Sequence, residues 1–218
     1  MTVVESVESV PTNTFHRQPE QPWLLHVVGR CGLRLFGWKI QGELPPIPKM
    51  VVAAAPHTSN LDGLLMVFGI WQLRIRIIYM SKKELVRGPL GWCIHRLGGI
   101  PIDRGVSSNT VDQVATEMQR RETAILVIAP EGTRRKGSYW KTGFYWIAYN
   151  ARAPILCVGV DYRRKVIDLT GPLVLPTGNI EADMATTWGF FRTMTAKHPE
   201  NVSEMRLRPT DVSAAPPQ

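Results

Sequence analysis

Residues 50–62 have the sequence MVVAAAPHTSNLD, which predicts a strand, a polar turn and a helix in direct succession. The apolar run at its start, closed by a proline, is typical of a buried strand. The apolar residues that follow recur at helical spacing, and Ser59 or Asn60 is expected as the N-cap of this helix. His57 therefore stands where a strand ends, and Asp62 stands in the first turn of the next helix.

The spacing of this histidine and aspartate allows two interpretations. A turn that brings the imidazole of His57 onto Asp62 gives the arrangement of a general base, because the carboxylate fixes the tautomer and stabilises the imidazolium. The same pair also arises by chance, and an aspartate in a first helical turn stabilises the helix through its dipole. The motif alone leaves both interpretations open.

Apolar runs of strand length alternate with amphipathic segments along the rest of the chain. Besides the strand near residue 50 and its helix, the pattern predicts strands at 39–44, 75–80, 99–104, 124–129, 155–160 and 166–169, and helices at 84–97, 109–121, 143–151 and 180–197. This alternation is typical of the α/β class, here a single layered domain with a mostly parallel central sheet flanked by helices. In such sheets the carboxyl ends of the strands meet at one edge, where ligands bind.

The composition indicates a globular protein with an anionic partner. The chain has 218 residues, of which 44% are hydrophobic and 20% charged, and its net charge is +8. This basic balance favours phosphates, nucleic acid or an acidic membrane surface as partners. The three cysteines are widely separated, so we expect no disulfide framework or zinc site and a reducing compartment. No secretory signal pattern and no apolar run of about 18 residues is found, which predicts a soluble or membrane-surface protein.

The two ends of the chain differ in composition from its middle. Residues 1–22 are polar and rich in proline, which predicts a disordered lead, and residues 209–218 predict a disordered tail. Between them, residues 39–208 are expected to form the α/β domain.

Residues 23–38 predict an N-terminal amphipathic helix. Its basic stripe consists of His26, Arg30 and Arg34, and tryptophans flank the segment. These features favour a helix at a membrane interface, and a helix packed on the core is the alternative. The apolar residues at helical spacing are Leu24, Val27, Val28, Cys31, Leu35 and Trp38.

Two further polar clusters follow predicted strands. Arg104 comes directly after one strand, although a surface charge beside Asp103 is the alternative interpretation. Residues 131–134 have the sequence EGTR, in which the glycine permits a tight turn, the threonine offers a hydroxyl and the arginine offers a fork suited to phosphate. A solvated basic loop is the alternative there. Because both clusters and His57 follow strands, we expect them to face one cleft.

Four sequence blocks, in this order, resemble the glycerolipid acyltransferase family, which includes the lysophosphatidate (1-acylglycerol-3-phosphate) acyltransferases. The blocks are His57–Asp62, Gly98–Arg104, Pro130–Arg134 and Ala153–Ile155. The resemblance covers residues 38–175. Two departures leave the acceptor lipid open: Pro56 stands where many relatives carry asparagine, and Pro101 replaces a bulky apolar residue.

The resemblance implies an enzyme that moves a fatty acyl group from acyl-CoA or acyl-carrier protein to the free hydroxyl of a lysophospholipid. The expected acceptor is 1-acylglycerol-3-phosphate, which gives phosphatidate, and a lyso-aminolipid is the alternative acceptor. In this pattern His57 is the general base and Asp62 orients it. The residues implied to hold the phosphate and glycerol oxygens of the acceptor are Arg104, Glu131, Gly132, Thr133 and Arg134.

The expected chemistry needs no metal or prosthetic group, because the thiol of the donor is a good leaving group. The expected place is the cytoplasmic side of a membrane, with the protein bound peripherally or monotopically to an anionic surface. A non-catalytic basic module for membrane or nucleic acid is a rival, although the aromatic residues in 139–146 have the helical spacing of a core face or acyl-chain wall, so nucleic acid is not expected. A second rival is a hydrolase that uses His57 with Asp62, or a metal site formed by those two residues and Asp103, although metal sites generally need three or more convergent ligands and no other histidine lies in a motif.

Overall fold

The computed structural model describes residues 21–82, 99–102 and 107–212. The helices are α1 (Trp23–Leu35), α2 (Asn60–Gln72), α3 (Ser107–Arg120), α4 (Gly143–Ala151), α5 (Ile180–Phe191) and α6 (Pro209–Val212), with a 3₁₀ turn at Pro199–Asn201. The strands are β1 (Lys39–Gln41), β2 (Lys49–Ala55), β3 (Ile77–Lys82), β4 (Gly99–Ile102), β5 (Ala124–Ile128), β6 (Ile155–Asp161), β7 (Val166–Asp168) and β8 (Leu173–Val174). The helix predicted at 84–97 and most of the predicted lead lie outside the described residues.

The described strands form one sheet in the order β1-β7-β6-β2-β5-β3-β4, and β8 pairs with β6. The pairs of β2 with β5 and β6, of β3 with β4 and β5, and of β1 with β7 are parallel. Only the pairs that β6 makes with β7 and β8 are antiparallel within this described sheet. The predicted α/β class with a mostly parallel central sheet is therefore confirmed.

Strand β2 is apolar and buried from Met50 to Ala55 because helices cover both of its faces. Val51 and Ala53 point toward the core formed with α3, α4 and α5. Met50 and Val52 point toward the core formed with α1 and α2. This period of two places β2 at the centre of three layers, with its carboxyl end leading directly into the turn at His57.

Several element boundaries differ from the predicted ones. Strand β3 begins at Ile77 rather than at residue 75, because Arg74 takes a left-handed conformation (φ 56°) and the Ile75 amide still bonds to Ile70 at the end of α2. Helix α5 ends at Phe191 rather than at residue 197. The tail predicted to be disordered from residue 209 begins with the short helix α6.

Helices α1 and α2 cross closely at Gly29. A Cβ there would lie 2.5 Å from the carbonyl oxygen of Phe68, so a larger residue would push the two helices apart. The side of α1 that packs on the protein contains Gly29 and Leu33, whereas Leu24 and Leu35 of the predicted apolar face are 65% and 84% exposed. Close approach at a glycine, rather than the largest apolar side chains, therefore decides which side of α1 packs on the protein.

Candidate active site

The turn between β2 and α2 is held by a capping box. Ser59, and not Asn60, is the N-cap, and its hydroxyl accepts the amide hydrogen of Asp62 at 3.3 Å. The Asp62 carboxylate accepts the Ser59 amide hydrogen in return, at 2.7 Å. This reciprocal pair satisfies two N–H groups that a helix start would otherwise leave without partners.

The same Asp62 carboxylate faces the imidazole of His57. The His57 Nδ1 lies 3.7 Å from Asp62 Oδ2, an ion-pair distance that is too long for a direct hydrogen bond. Asp62 is 1% exposed, and its Oδ2 also accepts the amide hydrogen of Thr58 at 2.6 Å. The carboxylate therefore caps the helix and faces the imidazole at once, so the two interpretations left open by the sequence are compatible.

The surroundings of His57 keep its imidazole neutral near pH 7. Burial lowers its pKa below the ordinary value of 6.5, the negative charge of Asp62 raises it, and the positive charge of Arg134 lowers it further, with a net lowering. A neutral imidazole has a lone pair that can accept a proton, which is the state that a general base requires.

Glu131 lies three residues after the end of β5 and binds the backbone of the His57 turn. Parallel pairing of β2 with β5 brings their carboxyl ends to the same edge of the sheet. Glu131 Oε2 accepts the His57 amide hydrogen at 2.5 Å, and Oε1 accepts that of Ser203 at 3.2 Å. The side chain is 2% exposed, and burial raises its pKa. Both oxygens are thus used by the backbone, whereas the resemblance implies that they contact substrate.

A cavity of about 1120 Å³ opens beside His57 and is lined by Gly132, Thr133 and Arg134 as well. The guanidinium of Arg134 donates a hydrogen bond to the side-chain oxygen of Asn60, at the start of α2. The apolar part of the wall includes Val111, Val127, Ile128, Phe144, Trp146 and Ile147. A cavity with a base, a guanidinium and an apolar wall suits a substrate that has a phosphate and a hydrocarbon chain.

The structure thus brings together six of the seven predicted site residues at one edge of the sheet: His57, Asp62, Glu131, Gly132, Thr133 and Arg134. The seventh, Arg104, lies outside the described residues, as does Asp103. The prediction that the loops after β2 and β5 face one cleft agrees with these positions.

Two residues that no motif pointed to complete the surroundings of His57. The Tyr162 hydroxyl donates a hydrogen bond to Asp62 Oδ1, and the Ser203 backbone binds Glu131. Tyr162 is 100 residues from Asp62 along the chain. Its only sequence signal is its place at the end of β6, beside β2, and a tyrosine after a buried strand is too common to identify a role.

In the described part of the chain, no group of three or more histidine, cysteine, aspartate or glutamate side chains is placed to hold a metal ion. Among the described helices, none combines the length and apolar character needed to cross a membrane.

Comparison with known proteins places the chain in a family. The family model described as Acyltransferase matches residues 39–161. Comparison with curated proteins gives no significant match. Among solved structures, the chain is similar to the crystal structure of the 1-acyl-sn-glycerophosphate (LPA) acyltransferase PlsC from Thermotoga maritima, with 21% identity and a TM-score of 0.44. That match covers 62% of this chain and 56% of the PlsC chain, so the similar region spans little more than half of PlsC. The family model covers more than half of the 218 residues and includes the residues of the proposed base, and the chain therefore belongs to the acyltransferase family.

Proposed function

We propose that this acyltransferase moves a fatty acyl group from an acyl thioester to the free hydroxyl of a lysophospholipid. The donor is acyl-CoA or acyl-carrier protein, and the acceptor is 1-acylglycerol-3-phosphate, which gives phosphatidate. The observation that carries this proposal is that His57, faced by the Asp62 carboxylate, lines one cavity with Arg134. The imidazole can accept the proton of a hydroxyl, and the guanidinium can bind the phosphate of the acceptor.

In the proposed reaction, His57 takes the proton of the acceptor hydroxyl. With Nδ1 carrying its hydrogen toward Asp62, Nε2 is the atom that accepts this proton. The hydroxyl oxygen forms a bond to the thioester carbonyl carbon, the carbon–sulfur bond breaks, and the imidazolium returns the proton to the leaving thiolate. Asp62 stabilises the imidazolium while it exists.

Glu131 contributes by positioning rather than by touching substrate. Its two hydrogen bonds connect the backbone amide of His57 to that of Ser203, and this fixes the backbone from which the imidazole extends. A base held in position lowers the entropic part of the barrier.

The capping box restricts which groups can stabilise the oxyanion of the tetrahedral intermediate. The amide hydrogens of Thr58, Ser59 and Asp62 already bind the Asp62 carboxylate or the Ser59 hydroxyl. Stabilisation of the oxyanion therefore falls to other donors that line the cavity.

The exposed side of α1 supports the proposal of peripheral membrane binding, and the side of the membrane that we propose is the cytoplasmic one. Trp23, Leu24 and Leu35 are 68%, 65% and 84% exposed, and the exposed Arg30 and Arg34 lie on the same helix. Exposed apolar side chains beside arginines match a bilayer surface with anionic lipids. A peripheral enzyme in this position would meet its lipid acceptor at the surface where the acceptor resides.

The proposal is tested by offering the purified protein a panel of lysolipids with acyl-CoA and with acyl-carrier protein, and by identifying the products by mass spectrometry. We expect phosphatidate from lysophosphatidate, and a rate that falls about 10²–10⁴-fold in His57→Ala. Acylation of lyso-aminolipids alone would replace the acceptor and keep the chemistry. Full activity in His57→Ala, or acyl release to water without an acceptor, would refute the mechanism.

A further inference from the structure

Among the described residues, two cations besides Arg134 line the cavity beside His57. Lys141 and Arg208 both line it, and both lie outside the four family blocks. The ring of Tyr139 joins them, since Lys141 Nζ lies 5.1 Å and Arg208 Cζ lies 4.4 Å from its centroid. Two cations from segments 67 residues apart thus meet at one aromatic ring, where cation–π attraction holds each of them.

The loop after β5 fixes the position of Lys141. Its amide donates a hydrogen bond to the carbonyl of Pro130 at 2.8 Å, which closes the loop. Its stem packs over Gly132, where an added Cβ would lie 3.0 Å from Lys141 Cγ, and Gly132 has a positive φ of 68°. The ammonium group is therefore placed by the same turn that leads to Arg134.

Arg208 is positioned just as specifically. Its Nη2 donates a hydrogen bond to the Tyr139 hydroxyl at 2.7 Å, and its Nε is buried without a hydrogen-bond partner. The one carboxylate among the described residues lining the cavity is Asp211, whose Oδ2 accepts a hydrogen bond from Thr142 at 3.3 Å.

This arrangement favours an anion. Within the part of the chain that the structure describes, neither Lys141 nor Arg208 forms an ion pair with a carboxylate, and both contact Tyr139 instead. Two like charges at one ring without an ion-paired carboxylate repel each other, and a bound anion removes that repulsion. The arginine fork and the lysine ammonium are the groups that bind phosphate best in proteins.

Resting on the proposed function, we propose that Lys141 and Arg208 form a second phosphate-binding position in the catalytic cavity. Arg134 stands beside His57, where the headgroup of the acceptor has to lie for its hydroxyl to reach the base. The second position therefore suits the phosphates of the donor's carrier, which CoA and the phosphopantetheine arm of a carrier protein both contain. It anchors the far end of the donor while the thioester lies near His57.

Calorimetric titration of CoA and of pantetheine, which has no phosphate, tests this assignment without any turnover. We expect Lys141→Gln and Arg208→Gln each to weaken CoA binding about fivefold at low salt and to leave pantetheine binding unchanged. The expected factor is only about fivefold because solvent screens these partly exposed charges. Arg120→Gln, an exposed arginine at the far end of α3, removes the same charge and should leave both unchanged. Thermal denaturation shows whether each variant is folded.

A parallel titration with hexanoyl lysophosphatidate distinguishes the two sources of phosphate. Weaker binding of lysophosphatidate alone in Lys141→Gln and Arg208→Gln keeps the phosphate position and assigns it to the acceptor. Unchanged binding of both CoA and lysophosphatidate in the folded double variant overturns the proposal. Because the titrations do not depend on acyl transfer, a wild-type protein that binds CoA through these residues but acylates no lysolipid refutes the proposed function alone.

Discussion

Replacing Tyr162 by phenylalanine removes one hydrogen bond from the Asp62 carboxylate and changes little else. The ring of Tyr162 packs edge-on against Trp38, with centroids 4.8 Å apart, and phenylalanine keeps that contact. Burial and the hydrogen bond to Asp62 raise the pKa of Tyr162, so the phenol stays protonated and donates throughout the working pH range. The variant therefore isolates the effect of one donor on the carboxylate that faces His57.

The structure sets the size of the expected effect. Asp62 also accepts hydrogen bonds from the amides of Thr58 and Ser59 and from the Ser59 hydroxyl, so the carboxylate stays buried with partners. The loss is then that of one hydrogen bond to a charged group, about 1.5 kcal/mol in the free energy of unfolding. If the whole of that loss reaches the transition state, kcat falls by about tenfold.

The pH dependence separates a positioning role from a structural one. Without the phenol, more of the carboxylate's charge acts on His57, which raises the pKa of His57. Because the neutral imidazole is the active form, the acid limb of the kcat/KM profile should move to higher pH. Tyr145→Phe is the matched control, since Tyr145 donates a hydrogen bond to Asp183 at 2.8 Å in the core. An unmoved acid limb in Tyr162→Phe, with stability lowered as in the control, would refute the positioning role.

Three further predictions concern the charge, the support and the membrane contact of the site. Arg134→Gln removes a charge that lowers the pKa of His57, so the acid limb of the kcat/KM profile, centred below pH 6.5 in the wild type, should move to higher pH. The KM for lysophosphatidate should rise as well, and a shift of the acid limb to lower pH contradicts this. Glu131→Gln turns an amide NH₂ toward one of two backbone N–H groups, so denaturation should show a free energy of unfolding lowered by about 1–3 kcal/mol. Because Glu131 positions the base, kcat should fall while KM stays unchanged. The double variant Leu24→Asp with Leu35→Asp should bind anionic vesicles at least about tenfold more weakly in a sedimentation assay, and its activity on monomeric short-chain substrates should be unchanged as the control. Equal vesicle binding by the variant and the wild type excludes α1 as the membrane contact.

The sequence predicted the layers of the fold because its apolar runs have a clear period. Strand β2 is apolar on both faces, which only a central strand needs, and α4 was predicted at the bounds that the structure has. The sequence did not predict which side of α1 packs on α2, because the contact at Gly29 depends on how closely two helices approach, and side-chain size along one helix contains no such information. The start of β3 was displaced from residue 75 to Ile77 by a left-handed residue, Arg74, whose type gives no warning of it.

The same limit applies to the candidate site. Its motif residues were predictable because each follows a strand, and parallel neighbours place such residues together. The use of Glu131 was not predictable, because the choice between facing the cavity and binding two backbone amides depends on Ser203, 72 residues further along the chain. Contacts between residues so far apart in the chain are determined by topology and packing, which the local sequence pattern does not reveal.

The supporting contacts of the candidate site extend beyond the region that the family model matches. The matched region ends at residue 161, yet the Asp62 carboxylate is held by the next residue, Tyr162. Thr58, in the turn itself, accepts the amide hydrogen of His198 through its hydroxyl, and Glu131 is fixed by Ser203. The segment after α5 therefore bonds both to the turn that contains His57 and to the residue behind it. A chain cut after the matched region would keep His57 and Asp62 in its sequence but lose the contacts that place them, so a site defined by its blocks alone is incomplete.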